Sequence, residues 1–122
     1  LTFSQEIKMD GAIIVSTPQE VALLDVKRGI KMFDKLGVKI LGLVDNMSHF
    51  IGDDGKKYNI FGEGGVKKTA ENFNKEFLGA IPINPEVGKF ADEGKPIVEA
   101  SPDHEISKIY LEFANKIKLI YF

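Results

Sequence analysis

Few of the 122 residues combine a reactive side chain with a setting that would let it do chemistry. The tetrad Asp45-Asn46-Met47-Ser48 is the exception: a polar corner directly after the apolar run Lys39–Val44. If that run is a strand, Asn46 stands at its carboxyl end, where open α/β sheets carry their ligands. The Asn46 amide offers one acceptor and two donors, which suits the polar edge of a ring. Asn after a strand also serves as a plain turn former, and the residue alone fits both roles.

Other candidates are weaker. Glu63-Gly64-Gly65 precedes a helical stretch in the manner of a phosphate loop, but neither GxxxxGK[ST] nor GxGxxG occurs anywhere in the chain. Glycines ahead of a helix can present free N–H groups to an anion, or simply permit a tight turn, and the turn is the simpler reading. His49 lies near Asp53 and Asp54, so a metal site is conceivable. One local imidazole without any cysteine favours a solvated loop instead. Asp53 and Asp54 as an acid/base pair fare no better, because neighbouring carboxylates in a glycine turn are normally hydrated. No Ser/His/Asp grouping stands out. The residues by themselves define no catalytic centre.

The elements that must position the polar corner read as follows. Leu1–Lys8 fits the last turns of a helix, broken by Met9-Asp10-Gly11. Ala12–Ser16 is a continuous apolar run, as in strands covered on both faces of a parallel sheet. Thr17 is a candidate N-cap and Pro18 a candidate first-turn residue of a helix running to Leu36. Along it Leu23, Val26, Ile30 and Phe33 form one apolar stripe, and Gly37 is a candidate left-handed terminator. Lys39–Val44 completes a βαβ unit, whose crossover should be right-handed. Gly52-Asp53-Asp54-Gly55 is a strong turn signal, with Lys56–Phe61 as the returning strand of a hairpin. A helix over Val66–Asn74 and a strand over Glu76–Ile81 follow. Pro82-Ile83-Asn84-Pro85 is stiffened by its two prolines, and Asn84 is placed to cap a short helix, Pro85–Glu93. Pro96–Glu99 reads as extended, a small edge strand. Ser101-Pro102-Asp103 reads as the cap of a last helix, striped by Ile106, Tyr110, Phe113, Ile117 and Ile120. Strands alternating with helices make this an α/β protein with a mostly parallel sheet. Three main strands are few for a self-sufficient doubly wound sheet.

Composition narrows the function classes. A net charge of −2 gives no basic footprint for nucleic acid. The absence of cysteine excludes disulfides and thiolate metal sites within these residues and fits a reducing cytosol. No apolar run is long enough to span a bilayer, and Leu1-Thr2-Phe3-Ser4 lacks the basic start and apolar core of a signal peptide. The basic, amphipathic stretch Lys116–Phe122 suits a membrane surface or, more simply, a helix docked on the sheet with a frayed end. A first residue other than Met suggests part of a longer protein.

Several blocks resemble Mrp-type ATPases: Asp10–Val26 (DGAIIVSTPQEVALLDV), Gly42–Ser48 (GLVDNMS), Ile60–Gly62, Leu78–Pro82 and Gly94–Val98. They occur in the family's order and span nearly the whole chain. These ATPases are P-loop proteins of the deviant-Walker class, relatives of MinD and ParA, and are similar to carriers that assist iron–sulfur cluster assembly. The resemblance implies an α/β fold: the C-terminal part of a mostly parallel, doubly wound P-loop NTPase sheet in three layers. Residues 1–122 would form a single unit, the C-terminal half of the ATPase domain. It implies ATP and Mg²⁺ as cofactors, held mainly by a Walker A loop upstream of Leu1, so that these residues alone would be inactive. Asn46 would hydrogen-bond adenine, with Pro82 and Ile83 beside the base. A homodimer, iron–sulfur client proteins and a cytoplasmic location are further implications, with neither nucleic acid nor membrane as a partner. A MinD-like positioning ATPase and a regulatory nucleotide-binding module are the alternatives. One departure matters. Most members carry a Cys-x-x-Cys pair after the position of Phe50, whereas Ile51-Gly52-Asp53-Asp54-Gly55 has none. This segment cannot hold an iron–sulfur cluster in the family's way, and is expected to be a solvated hairpin without metal.

Overall fold

A computed structural model describes residues 9–122, so the helix end expected at Leu1–Lys8 lies outside the described residues. The elements are β1 (Ala12–Ser16), α1 (Glu20–Leu36), β2 (Ile40–Asn46), β3 (Phe50–Ile51), β4 (Lys57–Tyr58), α2 (Gly65–Asn72), β5 (Phe77–Ile81), α3 (Pro85–Asp92), α4 (Ile97–Ala100) and α5 (Glu105–Tyr121). Strands β1, β2 and β5 form a parallel sheet in that order, and β3 and β4 form a separate antiparallel hairpin.

The central strand explains the layering. Every residue of β2 from Ile40 to Asp45 is buried, as a strand must be when helices cover both sides. On one face Ile40 and Leu43 meet Val26 and Ile30 of α1 and Val66 and Ala70 of α2. On the other, Val44, Leu78 and Ile81 meet Ile97 of α4 and Ile106 and Phe113 of α5. Two glycines set the closeness of that second layer. A Cβ on Gly42 would fall 2.5 Å from Leu78 Cγ, and one on Gly79, whose φ is +148°, would fall 2.7 Å from the Phe113 ring. Glycine therefore lets a neighbouring side chain cross the strand where any larger residue would block it.

Several local expectations hold. Gly37 ends α1 at φ +72° with its N–H donating to the Asp34 and Phe33 carbonyls, and the Asn84 side chain accepts from the Glu86 N–H at 2.9 Å to start α3. Others are corrected. The N-cap of α1 is Gln19, not Thr17, and it makes no side-chain cap bond; Pro18 precedes the helix and is buried. The returning strand of the hairpin is only Lys57–Tyr58. Strand β2 runs on through Asp45 and Asn46, so the corner begins at Met47, which is left-handed at φ +52°. Pro96–Glu99 is not an edge strand. Ile97–Ala100 is one helical turn, its Glu99 and Ala100 N–H groups donating to the Pro96 carbonyl. Burial of Ile97 against α5 and the Ser107 hydroxyl, which donates to the Ile97 and Ser101 carbonyls, hold that turn in place. The cap of α5 is His104 rather than Ser101-Pro102-Asp103: its Nδ1 accepts from the Ile106 N–H at 3.0 Å.

Candidate nucleotide-base corner

The site is built where β2 and β5 end side by side. Asn46, the last residue of β2, pairs in register with Ile81, the last of β5, and Pro82 follows directly. The two outgoing loops are then tied backbone to backbone. The Ser48 N–H donates to the Ile81 carbonyl at 3.0 Å, and the Ile83 N–H donates to the His49 carbonyl at 2.6 Å. The left-handed turn at Met47 makes this crossing possible by turning the chain out of the sheet plane.

The three expected residues meet at this corner but open onto different hollows. Asn46, half-buried, lines an apolar groove with Val44, Leu78, Ile81 and Phe113, of about 350 Å³. Pro82 and Ile83 line a cleft of about 390 Å³ with Phe50, Ile51, Asp53 and Glu105. The hollows adjoin at the Asn46–Ile81 step. An amide with donors and an acceptor stands there among aliphatic walls, which is the chemistry a planar heterocycle with one polar edge requires.

Asp45 is a feature that the sequence did not single out. It pairs in register with Ser16 of β1 and Ala80 of β5. The residue is 6% exposed, and its Oδ1 has no hydrogen-bond partner among the described residues. Burial pushes the carboxyl up to about 6, against the pull of the Lys57 ammonium. His49, four residues on, feels the same Lys57 ammonium. Burial and then Lys57 depress its imidazole, Glu105 opposes them, and the Ser48 hydroxyl hydrogen-bonds its Nδ1. The corner thus carries ionisable groups on the chain's own account, but none is arranged as a nucleophile with its base.

The remaining candidates resolve into structure. Gly64 is left-handed at the start of α2, and a Cβ on Gly65 would fall 2.6 Å from Leu23 Cδ1, so the glycines serve the turn and the α1–α2 packing. Asp54 accepts from the Lys56 N–H at 2.9 Å and from the Tyr58 hydroxyl, and the Tyr58 bond does most to lower its carboxyl below the usual range. Among the described residues no group of three His, Cys, Asp or Glu side chains is arranged to hold a metal. His104, isolated in sequence, caps α5 and sets its Nε2 3.0 Å from the Glu86 carboxylate. Its signal was its place at a helix start. Lys116, in the basic C-terminal stretch, reaches inward, its Nζ donating to the Leu78 carbonyl at 2.7 Å.

A parallel sheet flanked by helices, with polar groups gathered where the strands end, is an α/β arrangement of the kind that carries ligands at its strand ends. The comparisons agree. The ParA family model described as the NUBPL iron-transfer P-loop NTPase matches residues 1–118, and the chain belongs to that family. An iron–sulfur cluster carrier protein from Aquifex aeolicus is 41% identical over 121 residues, which is 98% of this chain and 33% of the relative. The iron–sulfur cluster transfer protein NUBPL of Dictyostelium discoideum is 45% identical over 118 residues, 96% of this chain and 36% of the relative. Among solved structures, a nucleotide-binding protein from Archaeoglobus fulgidus in complex with ADP superimposes with a TM-score of 0.71 at 36% identity, covering 84% of this chain and 42% of that one. The chain spans about a third of the length of the curated relatives it matches. Among the described residues no helix is long and apolar enough to cross a membrane.

Proposed function

We propose that these residues hold the base of ATP in an Mrp/NUBPL-type ATPase that assembles or delivers iron–sulfur clusters. The observation that carries the reading is the tied corner: Asn46 in register with Ile81, and the two loops joined through His49 and Ile83. Asn46 would take the polar edge of adenine, and Pro82 and Ile83 would lie against its ring. The residues present fit the base and not the phosphates, because no phosphate loop occurs in the sequence. The triphosphate and Mg²⁺ would be held by a Walker A loop elsewhere in a longer polypeptide, of which residues 1–122 are the C-terminal half of the ATPase domain. Bound ATP would supply the phosphoryl chemistry; this chain's own part is to bind and orient the base. The names of the relatives support the cargo. With no cysteine among the 122 residues, the cluster's thiolate ligands would come from elsewhere in that polypeptide or from a partner. A homodimer in a reducing compartment such as the cytosol, acting on iron–sulfur client proteins, completes the reading.

The test is Asn46→Ala in the full-length protein, with ATP and GTP affinity measured by calorimetry. Loss of the base contact should cost on the order of 1–3 kcal/mol in ATP binding and erode the preference over GTP. Unchanged affinity for both, in a variant with parental circular dichroism, would reduce Asn46 to a turn residue.

A further inference from the structure

The cleft beside Pro82 and Ile83 carries charge that a purine ring leaves unused. It has a volume of about 390 Å³, within the range of small-molecule sites, and Phe50, Ile51, Asp53 and Glu105 border it as well. Both charged side chains of that lining are carboxylates, and the Lys57 ammonium that acts on His49 does not join them. An ionised carboxylate accepts hydrogen bonds and donates none, and it repels a phosphate chain. The cleft is therefore suited to uncharged groups that carry donors. Asn84, the other polar side chain of the lining, is already engaged, its Oδ1 accepting from the Glu86 N–H at 2.9 Å. Glu105 is not: among the described residues no cation stands within ion-pair distance of its carboxylate. It is also firmly placed. His104 caps α5 immediately before it, and the His104 Nε2 lies 3.0 Å from the carboxylate of Glu86, at the start of α3. That contact sets the start of α5 against the Pro82–Pro85 turn. The Glu105 charge reaches His49, whose carbonyl accepts from the Ile83 N–H. Asp53 stands instead in the exposed turn of the hairpin.

We propose that Glu105 holds the sugar of the nucleotide, its carboxylate accepting hydrogen bonds from the ribose hydroxyls. The assignment rests on the reading of Asn46, Pro82 and Ile83 as the seat of the base. With the base against Pro82 and Ile83, the ribose is the next group along the nucleotide, and its 2′- and 3′-hydroxyls are donors. An acidic side chain takes a ribose hydroxyl in the same manner at the dinucleotide sites of open α/β sheets. The two carboxylates then give the cleft a direction: base and sugar enter it, and the triphosphate is turned away from α5.

The experiment is calorimetry on the full-length protein with ATP, 2′-deoxy-ATP and 3′-deoxy-ATP. The parent should bind at least one of the deoxynucleotides about tenfold more weakly than ATP, the size of a hydrogen bond to a charged group. Glu105→Ala should weaken ATP by the same factor and close the gap between ATP and that deoxynucleotide. Asp103→Asn, at an exposed carboxylate two residues upstream and outside the cleft, should change neither. Glu105→Gln keeps an acceptor without the charge and should narrow the gap in part, which reads the contact if the alanine variant fails to fold. A parent that binds all three nucleotides alike overturns the proposal. So does a gap that survives Glu105→Ala, or one that closes equally in Asp103→Asn. Asn46→Ala separates the two readings. If it weakens ATP while Glu105→Ala leaves the gap open, the base site stands and the sugar contact falls. If the gap closes in Glu105→Ala while Asn46→Ala changes nothing, the sugar contact stands and Asn46 leaves the base site.

Discussion

The two faces of the sheet are made from the same strands, yet one is closed and the other is not. On the α1–α2 face, Ile30, Leu43, Val66 and Ala70 are wholly removed from solvent, and α1 reaches across to the outer strand β1, where Ile14 packs against the cluster. On the α4–α5 face, burial is as complete around Leu78 and Ile106 but stops at β2. The strand Ala12–Ser16 straddles the difference, its side chains alternating between half-buried and exposed up to Ser16. A strand's composition therefore records what it is suited to be covered by, and covering it is a property of the elements packed around it.

The contrast can be pressed at its extremes first. Ile30→Ala in the closed core should destabilise the chain by about 2–5 kcal/mol in urea unfolding, while Val15→Ala on the open face should change monomer stability by no more than about 0.5 kcal/mol. Comparable losses at both sites would mean that the open face is closed within a single chain.

A middle-sized effect concerns Asp45, on the strand between the two faces. Its folded value of about 6 lies above the ordinary 3.8. The native state then holds a proton that the unfolded chain has already released, so stability falls as pH rises from about 4 through about 6 and stays lowered above that. Asp45→Asn cannot ionise and should flatten this slope, gaining on the order of 1–3 kcal/mol near neutral pH. Urea midpoints of both proteins at pH 4 and pH 7.5 decide it, and a variant that tracks the parent at both values would show that Asp45 is paired or hydrated in solution.

A smaller effect than at Asp45 is expected at the start of α5, on the open side. His104→Ala removes the N-cap acceptor and should cost about 1 kcal/mol. The Glu86 carboxylate that Nε2 faces is largely exposed, so that contact adds little. A loss several times larger would show that capping, rather than Ile106 and Phe113, fastens α5 to the sheet.

Long periodic elements were legible from sequence alone because burial enforces their pattern. The stripe through Val26 and Ile30, the apolar runs of β1 and β5, the left-handed Gly37 and the Asn84 cap all follow from local rules. Asn46 and the Pro82–Ile83 turn were legible as candidates through the strand-end argument and the family resemblance. The failures lie where distant residues decide. Pro96–Glu99 looks extended locally, but Ser107 and the burial of Ile97 wind the next residues into a turn of helix. Thr17 has a good capping side chain, yet Pro18 is buried beneath the glycines of the α2 approach, so the helix waits until Gln19. Asp45 looked like part of a turn, and only its register beside Ser16 makes it a buried strand residue.

The bond from the Ile83 N–H to the His49 carbonyl has a consequence for motion. Loops at strand ends usually open on their own, with little free energy holding their amides closed. Here each loop is the other's partner, and both are anchored to adjacent strands, so neither can swing out without breaking a bond in its neighbour. Amide hydrogen exchange at Ser48 and Ile83 should accordingly follow the slow exchange of the sheet rather than the fast exchange of the β3–β4 hairpin. A flat ring bound at such a corner, as proposed, would meet walls already in position and lose little of its binding free energy to ordering the protein.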